Sequence, residues 1–343
     1  MLIQYFWANT NHVMARILTG IQATGTPHLG NILGAILPSI EMAKDPKNES
    51  YLFIADLHSI TQIKSAEEIR ANNYSVAATW LACGLDVSKT IFYRQSDVPE
   101  TAELSWYLSC FFPYQRLTLA HSFKDKADHL ADVNAGLFTY PMLMAADILL
   151  YDVNYVPVGK DQLQHLEITR DVAQKVNRQV GDCLVVPEAK VQTNTMLIPG
   201  IDGQKMSKSK GNYINLFETD KRLKKQVMSV VTDSKGLEEP KDPETCNVFK
   251  LYETIASAED IATMREKYLT GGFGYGHAKT ELLNTLKDRF GGIRERYFSL
   301  MENKSAIDEQ LMEGAQKARK TAREVLGRVR NQLGFTAPQP TLP

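Results

Sequence analysis

The stretch Gly20-Ile21-Gln22-Ala23-Thr24-Gly25-Thr26-Pro27-His28-Leu29-Gly30-Asn31 limits the possible folds of this chain more than any other. Ala15-Arg16-Ile17-Leu18-Thr19, just before it, is short, apolar and β-branched, which predicts a buried strand. Ile32, Leu33, Ile36, Leu37 and Ile40, just after it, recur at helical spacing. The stretch therefore reads as a strand-to-helix turn, with Thr26 as N-cap and Pro27 at the first helical position. A helix N-terminus offers free backbone N–H groups and a partial positive charge, which suits a phosphate. Glycines at 20, 25 and 30 let a ligand approach the backbone, and His28 and Asn31 both carry hydrogen-bond donors. Many such units only pack, and the turn alone leaves packing and phosphate binding equally open.

The same alternation continues downstream. Tyr51 to Asp56, Thr90 to Arg94 and Val153 to Val158 read as strands. Ser65 caps a helix ending before Gly84, and Pro99 to Phe111, Gly136 to Leu150 and Leu163 to Val180 read as further helices. Strands alternating with helices predict an α/β, Rossmann-like parallel sheet with helices on both faces, over residues 14–211. Ligands then bind at the carboxyl ends of the strands, where the glycine turn lies. After Asn212 only helical patterns remain, which predicts an all-helical C-terminal domain over 212–335 and a frayed tail over 336–343. Residues 1–13 have no periodicity and are expected to be an N-terminal extension, with Met14 as a natural start.

Gln204-Lys205-Met206-Ser207-Lys208-Ser209-Lys210-Gly211, at the boundary, is a loop with lysines at alternating positions. As a lone charge run it would be a solvated surface. The standard nucleotide motifs G-x-x-x-x-G-K-[ST] and G-x-G-x-x-G are missing from the sequence. Composition narrows the class. No apolar run approaches the ~18 residues of a membrane span, and the N-terminus lacks the basic start and apolar core of a signal peptide. Cys83, Cys110, Cys183 and Cys246 form no C-x-x-C pair, so neither zinc nor a disulfide frame is expected and the location is expected to be cytoplasmic. With a net charge of −1, any nucleic acid must be held by local patches. Two basic clusters supply them: Lys221, Arg222, Lys224 and Lys225, then Lys317, Arg319, Lys320, Arg323, Arg328 and Arg330. Solvated helix faces explain them equally well.

Thr26 to Asn31, followed far downstream by Lys205-Met206-Ser207-Lys208-Ser209, resembles the paired signatures of the class I aminoacyl-tRNA synthetases. The first corresponds to their His-Ile-Gly-His element, with Leu29 for the isoleucine and Asn31 for the last histidine. The second matches their lysine loop, 205–209, letter for letter. Gly20-Ile21-Gln22, Thr139 to Tyr151, Val156 to Gln162 and Val231 to Ser234 look like the bacterial tryptophanyl-tRNA synthetases within that class. The likeness runs from Ala15 to about Gly334.

The resemblance implies a tryptophan–tRNA ligase reaction, in which the carboxylate of L-tryptophan attacks the α-phosphate of ATP, pyrophosphate leaves, and the aminoacyl group passes to tRNA(Trp). It also implies a homodimer, no membrane, and Mg²⁺ held mainly by the phosphates. His28, Asn31, Lys205 and Lys208 would neutralise charge growing on the leaving oxygens. Gln22, Ala23, Thr24, Gly30 and Asn31 would line the ATP site, with Lys124 and Lys126 at the triphosphate. Gly159, Lys160 and Asp161 would meet the ribose side, Met196 and Met206 the adenine, and Ser207 and Ser209 complete the lysine loop. Gln22, His58, Tyr140, Met144, Asp147 and Gln162 would hold tryptophan, with Asp147 accepting the indole N–H and Met144 packing on the ring. Read without the resemblance, Met144 is more often core filler, Tyr140 fits a core aromatic as well, His58 is as readily a structural histidine as a site residue, and Lys124 and Lys126 fit a solvated surface. A tyrosine-specific relative or another nucleotidyltransferase of the same superfamily is the alternative; Met144 stands where tyrosine-specific members carry Gln.

Overall fold

The computed structural model describes residues 14–118, 133–159, 162–191 and 197–335. β1 (Ala15–Gln22), β2 (Asn48–Ala55), β3 (Thr90–Arg94), β4 (Tyr155–Val158) and β5 (Glu188–Val191) form one sheet in the order β3-β2-β1-β4-β5. Every pairing is parallel. The order reverses between β1 and β4, so the crevice at the carboxyl ends of those two strands is the expected ligand site of such a sheet.

Alternation along β2 divides the core. Leu52 and Ile54 face one hydrophobic cluster, with Ile32, Ile36, Trp80 and Phe92. Tyr51, Phe53 and Ala55 face the other, with Leu18, Ile148 and Val172. Helices cover both faces: α1 (Leu29–Asn31), a π turn (Ile32–Ile36), α2 (Leu37–Ala43), α3 (Asp56–Ser59) and α4 (Ala66–Ala82), then α5 (Glu100–Phe111), α6 (Tyr114–Leu117), α7 (Ala135–Leu149) and α8 (Leu163–Val180). Ser65 caps α4 by accepting the Glu68 N–H.

Two sequence expectations need correction, and one strand had none. The N-cap of α1 is His28, not Thr26. His28 Nδ1 accepts the Asn31 N–H at 3.2 Å while Asn31 Oδ1 accepts the His28 N–H at 3.1 Å, a reciprocal capping box. Thr26 instead accepts a hydrogen bond from Ser75 at 2.9 Å, and Pro27 precedes the cap. Second, β2 ends at Ala55, and Asp56 opens α3 as a buried acid satisfied by Asn73 and Ser96. β5, at four residues, is too short a run for alternation to mark it as a strand in the sequence.

Beyond residue 212 the described elements are helical: α9 (Asp220–Met228), α10 (Asn247–Glu253), α11 (Ala258–Thr270), α12 (Tyr275–Glu302) and α13 (Lys304–Gln332). Their apolar faces join the same two clusters as the sheet. α13 runs against the edge strand β3, with Gly314 over the Phe92 carbonyl; a Cβ there would stand 1.8 Å from that oxygen. Covering the edge removes an open row of backbone groups. The basic residues of α13 largely serve this packing. Arg319 and Arg323 reach Glu100, Arg328 reaches Asp152, and Arg330 reaches Glu103. In α9, Lys221, Lys224 and Lys225 stay exposed.

Candidate functional site

β1 delivers the glycine turn to the switch point, and the lysine loop closes over it. Gly20 pairs with Phe53, and a Cβ on Gly20 would lie 2.4 Å from that ring. Gly25 has φ +101°, which favours glycine, and Lys208 lies directly over it. Lys208 Nζ donates to the Thr24 carbonyl at 3.1 Å. Among the described residues it has no carboxylate partner, and burial pushes its ammonium down to about 8. Met206 is buried, and its sulfur accepts the Gly30 N–H at 3.2 Å, which fastens the loop to the turn a second time. Asn212 shapes the loop itself: its Oδ1 accepts the Ser207 N–H at 2.7 Å and its Nδ2 donates to Asp202 and the Lys205 carbonyl. Ser207 and Ser209 hydroxyls meet at 2.9 Å. The side chain of Lys205 is exposed and Lys208 is the lysine brought to the turn.

The expectation of free N–H groups at this helix start does not hold. Leu29 N–H donates to the Ile214 carbonyl at 2.8 Å, Gly30 to Met206, and Asn31 to His28. Buried backbone donors are rarely left unpaired, and here the protein satisfies them itself. Donors free to meet a ligand at this turn are therefore side chains. His28 is 7% exposed, and burial, then the Lys208 charge, push its imidazole down to about 4. It is therefore neutral at pH 7, and because Nδ1 accepts from Asn31, the ring proton sits on Nε2. His28 and Lys208 together offer a neutral donor and a cation with no acid beside them among the described residues. That donor set fits phosphate oxygens, and fits a divalent ion only if the phosphates carry it.

A second group of polar side chains lines the carboxyl ends of β1, β2 and β3. Asp147, on α7, is 3% exposed. His58 Nε2 lies 3.0 Å from its Oδ2, and Gln95 Nε2 donates to both carboxylate oxygens. Burial pushes the Asp147 carboxyl up while His58 and Gln95 pull it down, with a net rise. Gln22, the last residue of β1, donates to the His58 carbonyl at 3.1 Å. Tyr140 Oη and His165 Nε2 meet at 3.1 Å, and the Tyr140 ring stands edge-on to His58 at 6.2 Å. Met144 is partly buried one turn before Asp147. Gln162 N-caps α8, and its backbone N–H donates to Gly159 at 3.0 Å.

Of the sequence-predicted site residues, Gln22, His58, Tyr140 and Asp147 form one connected group, and Thr24, His28, Gly30, Asn31, Met206 and Lys208 another. Ala23 is fully buried between the two, and Gly159 and Gln162 flank the β4 side. Lys124, Lys126, Lys160, Asp161 and Met196 lie outside the described residues, as do 1–13 and 336–343. Sequence reasoning missed Gln95, His165 and Asn212. Gln95 follows the last residue of β3, where ligand groups collect in such sheets, and that position was its signal. His165 and Asn212 gave none.

A family model described as tRNA synthetases class I (W and Y) matches residues 10–291. The tryptophan–tRNA ligase of Fusobacterium nucleatum is 46% identical over 326 residues, covering 93% of this chain and 99% of the relative. The tryptophan–tRNA ligase of Neisseria meningitidis is 43% identical over 329 residues, 93% of this chain and 98% of the relative. Among solved structures, the tryptophanyl-tRNA synthetase of Campylobacter jejuni complexed with ADP and tryptophan superposes with a TM-score of 0.90. It is 44% identical, over 93% of this chain and 100% of that one.

Proposed function

Since the chain belongs to the class I tRNA synthetases of the tryptophan and tyrosine group, we propose that it activates L-tryptophan with ATP and transfers it to tRNA(Trp). The observation that carries this reading is Lys208 Nζ, 3.1 Å from the Thr24 carbonyl, which joins the two phosphate-handling segments at the switch point of the sheet. A likeness of 44–46% along nearly the whole length to tryptophan-specific enzymes selects the amino acid.

In the activation step a tryptophan carboxylate oxygen forms a bond to the α-phosphorus, and the bond from that phosphorus to the bridging oxygen breaks. The nucleophile is already an anion, so no general base is needed. The protein positions the two reactants and stabilises charge that grows on the pyrophosphate. His28 supplies Nε2–H, and Lys208 supplies a full charge close to the turn. Lys205, whose side chain is exposed on the same loop, would add a second charge at the leaving group. Asp147 accepts the indole N–H, Met144 packs on the ring, and Gln22, His58, Tyr140 and Gln162 surround the amino and carboxylate groups. Mg²⁺, when bound, travels on the triphosphate and offsets its charge.

A homodimer, a cytoplasmic location and a tRNA surface on the helical half belong to the same reading. The exposed Lys221, Lys224 and Lys225 support the last of these better than α13, whose arginines are engaged with the sheet half. No helix among the described residues is long and apolar enough to cross a membrane. Charging of a mixed tRNA pool with labelled tryptophan, tyrosine and phenylalanine separately tests the whole reaction; incorporation of tryptophan alone is expected, and incorporation of tyrosine would favour the alternative.

A further inference from the structure

Gln95 sits just past β3 and is 1% exposed. Its Oε1 accepts the Leu57 N–H at 3.1 Å. Its Nε2 meets the two oxygens of Asp147 at 2.8 and 2.9 Å. These contacts fix the orientation of the amide. Turned over, it would set its NH₂ against an N–H and its oxygen against a carboxylate. The neighbouring residue is anchored independently, because Ser96 donates through both its backbone N–H and its hydroxyl to the buried Asp56. Asn73 holds Asp56 from the other side at 3.1 Å. The Gln95 backbone is thus clamped before any ligand arrives.

A carboxylate has about four acceptor sites. Gln95 occupies the inner edge of Asp147, and His58 lies at one oxygen, which leaves an acceptor position for a further donor. We infer that Gln95 is a positioning residue that orients the Asp147 carboxylate and holds it as an acceptor, so that the site selects an aromatic ring bearing an N–H. This rests on the tryptophan reading above. The chemistry follows from burial: an acid this deep tends to take up a proton, and a protonated acid would set its own donor against the indole donor. Donation from Gln95 favours the charged form. Because Gln95 also holds Leu57, the residue before His58, it keeps both neighbours of the ring in register.

The test uses amino-acid-dependent exchange of pyrophosphate into ATP, with the full chain. L-tryptophan is compared with L-3-(benzothiophen-3-yl)alanine, which has the same shape but sulfur in place of the N–H. Wild-type protein is expected to prefer tryptophan. In Gln95→Met, which keeps the length of the side chain and loses the donor, the ratio of kcat/KM between the two substrates is expected to fall by at least about tenfold, mostly on the tryptophan arm. Gln95→Asn keeps the amide but is one methylene short, and is expected to lose the preference in smaller measure, so a poorly folded Met variant leaves the test standing. A loss shared equally by both substrates, or an unchanged ratio in the folded variants, overturns the inference. Wild-type protein with no preference for tryptophan overturns the functional reading and this inference with it.

Discussion

Lys208 Nζ donates to the backbone carbonyl of Thr24, 184 residues earlier in the chain, at 3.1 Å. The contact leaves a half-buried ammonium resting on a carbonyl rather than on a carboxylate, a weak match for a full charge. A phosphate entering between the two segments would offer it a far better acceptor. Under the proposed function, that charge is held where binding and catalysis would use it.

Neutralising this lysine should harm the transition state more than the ground state. Lys208→Met is expected to lower kcat and kcat/KM together by about 10²–10³. In the free enzyme the lysine is pushed down to about 8, so it is charged below that pH and loses its charge above it. The kcat/KM for ATP should accordingly fall as pH rises through about 8, and Lys208→Arg should move that limb upward because the guanidinium keeps its charge. A profile that is the same in wild type and Lys208→Arg would show that another group titrates there.

His28 provides a second pH signature. Its folded imidazole is pushed down to about 4, so between that value and the ordinary 6.5 the unfolded chain binds more protons. Stability should therefore rise with pH across that window, and this contribution should be fully lost below it. Imidazole NMR titration of wild type against His28→Gln is expected to assign His28 a midpoint near 4; a midpoint near 6.5 would contradict the burial argument.

Gly314 has no room for a side chain, because an added Cβ would lie 1.8 Å from the Phe92 oxygen and 2.6 Å from its carbonyl carbon. Helix propensity favours alanine over glycine by about 0.8–1.0 kcal/mol, yet the steric conflict with backbone should win. Gly314→Ala is expected to cost about 1–3 kcal/mol net and lower the Tm. An unchanged or raised Tm would mean that α13 does not press on β3 as described.

How much of this was legible in the sequence varies with the range of the interactions involved. The span Leu163–Val180 follows from periodicity alone, and the structure has it with the same ends. The start of α1 did not, since Thr26-Pro27 is a common helix opening while His28 and Asn31 cap the helix through a reciprocal pair. Lys241, which no local pattern singles out, is 2% exposed, with its ammonium on the carbonyls of Gly236, Leu237 and Glu239. Asp147 is an acid within the apolar run Met142 to Leu150, whereas its pairing with Gln95, 52 residues away, follows only once β3 and α7 are set side by side. For Arg319 and Arg323 the sequence left a solvated face and a nucleic-acid patch equally open, and in the structure both reach Glu100. Local pattern predicts elements; pairing across the chain decides what the polar residues do.

The basic surface divides in a way that kinetics can resolve. Lys221, Lys224 and Lys225 are exposed on α9, so replacing all three with alanine should weaken tRNA charging and leave pyrophosphate exchange unchanged. Arg319→Ala together with Arg323→Ala should instead lower the Tm, because Glu100 would lose its partners. If the α9 variant charges tRNA as well as wild type does, the tRNA lies elsewhere.

Amino-acid-dependent pyrophosphate exchange into ATP, run with each of the twenty amino acids, tests the central claim most directly. Asp147 and Met144, three residues apart on α7, suit a ring with an N–H and offer a phenol hydroxyl little. Sites built on such a hydrogen bond reject analogues lacking it by roughly 10⁴–10⁵. The account predicts exchange with tryptophan, almost none with tyrosine or phenylalanine, and loss of most of the tryptophan preference over phenylalanine in Asp147→Ala. Wild-type protein that activates tyrosine as readily as tryptophan would contradict it.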